Sequence, residues 1–286
     1  MVAIITITTA EELSDMRLNL NEDYTLGNDI DLSSISNWEP IGTLANPFTG
    51  TLDGNGYTIS NLTINRPTED NVGLFGVIDT PKSKYGVVLA VPVIRNLTII
   101  NASVAGRDGV GILAGTWATD IGKGEDAYSL TTLGKLCDDI FLHGAVEGRS
   151  DVGGLAGKVA GAFGAGHGSN ISNGNPLDQN VSIDGVIAYV AVNATGNNVG
   201  GIVGNLGAVQ IRNCSSHLGV SGGNYVGGIA GSIAWAHGNY LGSWGDINAT
   251  GYIAGGIFGA STGLGEIRRC YSFGNIYATG FHSWGG

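Results

Sequence analysis

Apolar residues and glycines recur along the chain in one short phrase. The phrase is Val-Gly-Gly-Ile-Ala-Gly with small variations, and its copies begin at Val72 (one residue shorter), Val110, Val152, Val199, Val226 and Ala254. Consecutive copies lie 38, 42, 47, 27 and 28 residues apart. Recurrence every ~20–50 residues is typical of solenoids, in which each unit buries its apolar side by stacking on its neighbours.

The last two complete periods show the plan of one unit. Residues 226–251 and 254–280 each contain three short strand-like runs, separated by Gly or Asn corners. This pattern predicts one three-sided coil per period, with parallel pairing between coils and an apolar interior. The predicted inward column is Leu155, Ile202, Ile229 and Ile257.

The N-terminus carries a helix signature. Thr9 and Glu12 have the spacing of a capping box, and Leu13 and Met16 are spaced to face one way. The sequence predicts a short helix, reaching about Leu18, that covers the open edge of the first coil. We therefore divide the chain into an N-terminal strand and capping helix (1–22) and a repeat region (23–286).

A more specific resemblance begins at Phe48. Residues 48–59 read Phe-Thr-Gly-Thr-Leu-Asp-Gly-Asn-Gly-Tyr-Thr-Ile, and copies of the glycine phrase follow. Together they resemble the GLUG-repeat proteins of bacterial surfaces and phages, over roughly residues 20–286. The resemblance implies an all-β fold, a single-stranded right-handed parallel β-helix, and an outer location such as a bacterial cell surface or a virion. It implies no catalytic residues.

Composition narrows the classes of function. The 50 glycines of 286 residues follow no triplet and only six prolines occur, which excludes collagen, and 43% apolar residues argue against disorder. A net charge of −11 with 13 Lys and Arg excludes a typical nucleic-acid binder. The acidity favours solubility, and a calcium-dependent outer setting is the alternative.

Cysteines and termini bear on location. Cys214 and Cys270 hold equivalent places two periods apart, about 10 Å at the usual strand spacing, which is too far for a disulfide. We predict that both, with Cys137, are buried small apolar residues. No apolar run is long enough to span a membrane. The first residues lack a secretion signal, so we expect extracellular placement after leader removal or release by lysis.

The long early steps suggest a binding face. Relative to the later period they carry about 10, 14 and 19 extra residues, which we place near 79–85, 117–132 and 159–179. Because these segments leave neighbouring coils, we expect them to line a groove, although plain surface insertions remain the alternative. The candidate ligand-binding residues are aromatic groups for stacking on sugars (Tyr85, Trp117, Tyr128 and Phe163) and polar groups (His143, His167 and Asn170).

Other chemistry has little support in the sequence. A lyase or hydrolase needs clustered titratable groups, and the fragments present are Lys82 with Lys84 and Asp138 with Asp139, whose side chains should point to opposite faces of a strand unless a bulge intervenes. Histidines and cysteines lack zinc spacing. We expect no cofactor, since Asp29, Asp31 and Asp53 fit turns better than a calcium site. The Asn-x-Ser/Thr triplets at Asn61, Asn96 and Asn193 favour corner chemistry over glycosylation.

The end of the sequence resembles the start of another repeat. Residues 279–286 match 195–201 with one extra residue, so we expect an uncapped edge covered by a longer parent chain or by a homo-oligomer, end to end or side by side. The leading hypothesis is a non-enzymatic, extracellular structural and adhesive module of a bacterial surface protein or phage fibre that binds cell-surface glycan. The alternatives are a polysaccharide lyase or glycoside hydrolase on the same scaffold, and a purely architectural fibre spacer.

Overall fold

A computed structural model describes residues 4–80, 91–119, 135–161, 181–207, 209–234, 236–263 and 266–280, with side chains 119 and 161 excepted. In these residues, nearly all regular structure is β-strand. The exceptions are one α-helix, α1 (Ala10–Asp15), and a following 3-10 helix (Met16–Leu18). The capping box is present: Thr9 Oγ1 accepts from the Glu12 amide at 3.1 Å, while Glu12 accepts from the Thr9 amide. Leu13 and Met16 are fully buried, as predicted.

Short strands make up the rest of the described chain. Its first half contains β1 (Ile4–Ile7), β2 (Asp23–Leu26), β3 (Ile30–Asp31), β4 (Leu52–Asp53), β5 (Thr58–Ser60), β6 (Thr63–Asn65), β7 (Phe75–Asp79), β8 (Ile94–Ala105), β9 (Asp108–Val110), β10 (Ala114–Thr119), β11 (Lys135–Gly148), β12 (Ser150–Gly153) and β13 (Ala156–Gly161). Its second half contains β14 (Ser182–Asp184), β15 (Val186–Ala194), β16 (Val199–Gly200), β17 (Val203–Gly207), β18 (Gln210–Ser216), β19 (Val220–Gly222), β20 (Val226–Gly227), β21 (Ala230–Ala234), β22 (His237–Ser243), β23 (Ile247–Ala249), β24 (Ala254–Gly255), β25 (Phe258–Thr262), β26 (Ile267–Arg268), β27 (Tyr271–Ser272) and β28 (Ile276–Ala278).

Strand pairing joins each repeat to the next. Among the described residues every pairing is parallel, and the strands form a large sheet of 17 strands, a second sheet of six and a third of five. The phrase valines lie side by side, with Val110 against Val152, then Val199, then Val226. This is the connectivity of a β-solenoid, and we call one repeat a rung.

The predicted inward column is confirmed. The Leu155 amide donates to the Ile202 carbonyl at 2.9 Å, Ile202 donates to Ile229 at 2.9 Å, and Ile229 donates to Ile257 at 2.8 Å. The first three side chains are fully buried, whereas Ile257, in the last described rung, is half-buried and packs against the core. Like residues therefore stack on like residues along the interior.

The glycine phrase is explained by close backbone contact between rungs. A Cβ on Gly200 would lie 2.6 Å from the Ala230 Cα in the next rung, and one on Gly201 would lie 2.7 Å from the Ser216 Cβ. A Cβ on Gly204 would lie 2.5 Å from the Asp151 carbonyl carbon and 2.6 Å from the Gly157 oxygen. Only glycine fits these positions, because real Cβ atoms do not approach backbone this closely.

One corner of each rung is tied to the next by a side-chain oxygen. Each oxygen accepts from the backbone amide one rung further on, at 3.0–3.2 Å, along the series Asp70, Asp108, Ser150, Asn197, Asn224 and the Tyr252 amide. Asp, Ser and Asn suit this place because their short side chains bond backbone groups locally. The ladder holds the register between the large sheet and the third sheet.

The cysteines follow the prediction except at the last rung. Cys137 and Cys214 are buried and Cys270 is half-buried, and all three are free thiols. Burial raises the pKa of Cys214 to about 12 and that of Cys137 well above its usual range, so both stay protonated at neutral pH. The expectation that Cys270 is buried is wrong, because no described strand stacks on its outer side.

Candidate functional site

The three long insertions leave the molecule at one corner. They follow β7, β10 and β13, which are neighbours in the second sheet, with Ala118 paired to both Asp79 and Ala160. The chain returns in β8, β11 and β14, which are neighbours in the large sheet. The ends of all three insertions therefore meet on one flank, as the sequence predicted. We call this flank the insertion corner.

The register also measures each insertion. Residues 80–91, 119–134 and 161–181 (12, 16 and 21 residues) separate paired positions of the two sheets, where the next two rungs have only 208–209 and 235–236. The excess of 10, 14 and 19 residues equals the predicted excess. All of the irregular repeat length is therefore concentrated at the insertion corner.

A cluster of charges lies where the second and third insertions rejoin the large sheet. Lys135 Nζ lies 2.7 Å from Asp138 Oδ2 and 3.3 Å from Asp184 Oδ2. Arg212 Nη2 approaches Asp184 Oδ2 at 3.2 Å, and Asn213 Nδ2 donates to Asp184 Oδ1 at 2.7 Å. Only 7% of Asp184 is exposed. Its hydrogen bonds to Asp138 and Asp184 raise the pKa of Lys135, so this ammonium keeps its charge.

This cluster has the composition of a hydrolase site but not its arrangement. Both Asp184 oxygens are held by cationic or amide donors, and the same lysine neutralises Asp138. A nucleophile or general acid needs an oxygen free to reach substrate. Asp139 adopts a left-handed backbone conformation (φ 52°), which interrupts the strand and removes the simple alternation with Asp138 expected from the sequence. The cluster is best explained as an ion-pair network that anchors the insertion corner.

Replacing Asp184 by alanine should lower the free energy of unfolding by about 2–3 kcal/mol, because the change leaves Arg212 and Lys135 without their shared buried partner. Urea denaturation measures the change. Asp53→Ala is the matched control, since its ion pair with Arg95 (2.8 Å) is more exposed and should cost about 1 kcal/mol or less. Equal losses in the two variants would contradict a special role for the buried cluster.

The predicted ligand-binding residues separate into three groups. Tyr85, Tyr128, Phe163, His167 and Asn170 lie outside the described residues, as do Lys82 and Lys84. His143 is exposed on β11. Trp117 requires a correction. Its side chain is fully buried, because β10 pairs it with the inward positions of Ile78 and Val159, so its ring is not available to a ligand on the surface.

A column of rings that sequence reasoning missed runs along the outer face of the large sheet. His143 pairs in register with Tyr189, and the column continues one residue per rung through His217, Trp244 and Phe273. Tyr189 and His217 stack with ring centroids 4.2 Å apart and planes 6° apart, and His217 and Trp244 stack at 4.4 Å and 4°. Tyr271 meets Trp244 edge-on at 5.2 Å. We call this the aromatic column.

The stacking decides what the aromatic column can bind. The faces of His217 contact rings above and below, so mainly ring edges are turned to solvent. Gly242 leaves room for the Trp244 indole, because a Cβ there would lie 2.5 Å from Cη2. Sugar stacking needs free ring faces, and ring–ring contacts of this kind stabilise a fold. The recurring dipeptides Ser216-His217, Ser243-Trp244 and Ser272-Phe273 were the sequence pattern that marked the column.

The imidazole of His217 gives the column a pH dependence. Burial lowers its pKa below the ordinary value of about 6.5, so the unfolded chain binds a proton more readily than the folded one. The contribution of neutral His217 to stability is therefore complete above about pH 6.5 and is lost as pH falls toward the lowered pKa. We expect acidification to destabilise the wild type more than His217→Phe, measured by thermal melts. Identical pH profiles would contradict this.

An open groove of about 310 Å³ lies at the corner between the large and third sheets. Its lining residues include two arginines, but Arg107 binds Asp70 through two contacts (2.6 and 2.7 Å), and Arg149 binds Asp108 in the same way. These hydrogen bonds lower the pKa of Asp70 and Asp108. Because both guanidinium groups are occupied, this groove is a weaker candidate for ligand binding than the insertion corner.

The aspartates considered for calcium are used in turns and ion pairs. Asp53 Oδ1 accepts from the Asn55 amide at 2.8 Å, Asp31 Oδ1 from the Ser33 amide at 2.9 Å, and Asp29 Oδ1 from the Thr58 amide at 2.8 Å. The side-chain hydrogen bond from Asn61 lowers the pKa of Asp31. The described part of the chain contains no group of three or more His, Cys, Asp or Glu residues suited to a metal ion.

By fold, the molecule is a nearly all-β protein built from stacked parallel rungs. It resembles in structure a protein of Bacteroides ovatus described as an immunoglobulin A1 protease, with a TM-score of 0.66, 23% sequence identity, and coverage of 96% of this chain and 77% of that one. At this identity the likeness concerns the fold alone. Within the described residues, the structure has no helix with the length and apolarity needed to cross a membrane.

Sequence comparison finds relatives of which this chain matches only a small part. It is 34% identical over 150 residues to Halomucin of Haloquadratum walsbyi, covering 48% of this chain and 1% of that protein. It is 46% identical over 79 residues to a protein of Evansella cellulosilytica described as a Gly-rich membrane protein, covering 25% of this chain and 9% of that protein. No protein-family model matches the chain.

Proposed function

We propose that this chain is an extracellular structural and adhesive module, folded as a closed, single-stranded, right-handed parallel β-helix of the GLUG-repeat type. The insertion corner is its binding face and cell-surface glycan is its ligand. The observation that carries the proposal is the concentration of all excess repeat length at this one corner. Insertions of a solenoid often collect on its binding face.

Three further findings support this proposal. The names of the two sequence relatives, a mucin name and a membrane-protein description, point to the cell envelope and thus to an outer location. The described carboxylates nearest the corner are occupied by ion pairs, which favours binding over hydrolysis. The net charge of −11 keeps such a module soluble and disfavours nucleic acid as a partner.

Grafting with the chain's own short connections tests the binding face. In one variant Ala208-Val209 replaces residues 161–181, and in a second it replaces 119–134, since the register places these segments at the same corner. We expect the wild type to bind a subset of a glycan array and the grafted variants to lose at least tenfold in affinity. A control keeps the length of 162–180 but scrambles its sequence, which separates specific contacts from spacing.

Two outcomes would reject the proposal. If the wild type binds no glycan on arrays of neutral, acidic and sulfated sugars, the adhesive role fails and the architectural spacer becomes the better explanation. If the grafted variants bind as the wild type does, the binding face lies elsewhere on the rungs. Release of reducing or unsaturated ends from a polysaccharide would instead favour the enzyme alternative.

A further inference from the structure

Six Asn-x-Ser/Thr triplets lie within the described residues, and the structure separates them into two kinds. Four have their asparagine at a corner with a left-handed backbone conformation (φ between 50° and 61°): Asn61, Asn96, Asn101 and Asn213. The other two, Asn193 in β15 and Asn248 in β23, lie in strands. The same three-residue motif therefore occurs in two different environments.

The corner asparagines use their side-chain amide nitrogens to hold the fold. Each Nδ2 donates to an oxygen in a neighbouring rung, in the pairs Asn61 to Asp31 (2.8 Å), Asn96 to Asp53 (3.0 Å), Asn101 to Asn61 (3.4 Å) and Asn213 to Asp184 (2.7 Å). A sugar on Nδ2 replaces one amide hydrogen and needs the space that these acceptors fill. These positions are therefore incompatible with a glycan in the folded protein.

The strand asparagines are free to carry one. Asn193 and Asn248 are exposed, and among the described residues neither side-chain amide takes part in a hydrogen bond. Both belong to one outward column, in which Asn193 pairs with Ser221 and Ser221 with Asn248. They are two rungs apart, about 10 Å at the usual strand spacing, which leaves room for a sugar on each.

We propose that Asn193 and Asn248 are attachment sites for N-linked glycan, an inference that rests on the extracellular location given under the proposed function. The donor is an oligosaccharide linked to a polyprenyl phosphate or pyrophosphate. Asn Nδ2 attacks the anomeric carbon, forming a C–N bond while the C–O bond to phosphate breaks. The lipid phosphate leaves with the bonding electron pair, and the amide proton passes to a base of the transferase. Transfer precedes folding, because a strand packed in a sheet cannot enter a transferase site.

The test uses the full chain secreted from a host with N-glycosylation, with an added C-terminal Asn-Gly-Thr tag that reports access to the transferase. Peptide mass mapping should find glycan at the tag, Asn193 and Asn248, and none at Asn96 or Asn213. Thr195→Ala and Thr250→Ala should each remove one glycan from the intact mass, and the double variant two. Thr98→Ala is the matched control at a corner triplet and should change nothing.

A modified tag with bare Asn193 and Asn248 would overturn the inference, as would glycan at Asn96 or Asn213 in protein that melts cooperatively. The outcome is separable from the adhesive role, because protein made in a host without N-glycosylation can still be tested on the glycan array. Loss of array binding with normal glycan attachment would reject only the proposed binding face.

Discussion

Replacing Gly204 by alanine should lower the free energy of unfolding by about 3 kcal/mol or more, although it adds a single methyl group. The new Cβ would lie 2.5 Å from the Asp151 carbonyl carbon and 2.6 Å from the Gly157 oxygen, both of them backbone atoms of the rung below. A flexible side chain could move away from this contact, but a paired strand cannot do so without losing ladder hydrogen bonds. Chemical denaturation of the purified variant measures the loss.

Gly219→Ala is the control for that experiment. A Cβ at Gly219 meets only the Asp246 carbonyl oxygen, at an ordinary 3.5 Å, and the position is exposed. The change should therefore shift stability by less than about 0.5 kcal/mol. If Gly204→Ala and Gly219→Ala prove equally mild, the rungs are not packed as closely as the structure shows, and the glycine phrase needs another explanation.

The part of the fold that sequence could predict is the part where chemistry repeats. Ile202 and Ile229 occupy the same place in a repeated phrase, and one register accounts for every copy, so their inward stacking followed from spacing alone. The Thr9 capping box is local and needed no tertiary information. The insertion corner was predictable for a related reason, because a departure from a fixed period reveals both the place and the length of each added segment.

The ion-pair cluster could not be predicted, because it depends on pairing across an insertion. Asp138 and Asp184 are 46 residues apart in the sequence, and only the register after the third insertion brings both to Lys135. Trp117 failed for a related reason. Its position at the edge of an insertion suggested exposure, whereas the alternation along β10 directs it inward beside Val159. Periodicity gives the column of a residue only where the strand boundary is known.

Deleting one complete rung should leave the protein folded, whereas deleting half a rung should unfold it. Removal of 226–253 places Val199 against Ala254, Gly200 against Gly255 and Ile202 against Ile257, which keeps every column in phase. In solenoids stability is approximately a sum over units and their interfaces, so the shortened chain loses one unit and one interface. Circular dichroism should show an unchanged β spectrum and a single cooperative melt at a somewhat lower temperature.

Removal of 226–239 alone provides the matched comparison. It deletes half as many residues but places polar and corner residues of the next half-rung under the buried column of Ile202, and a strand shifted out of register presents its apolar side chains to the wrong face. We expect this chain to lack a cooperative melt. Both experiments need reductant, because the 226–253 deletion brings Cys214 next to Cys270, within disulfide reach. If the half-rung deletion melts as the full-rung deletion does, the columns do not set the fold, and the stacked-rung account of this protein is wrong.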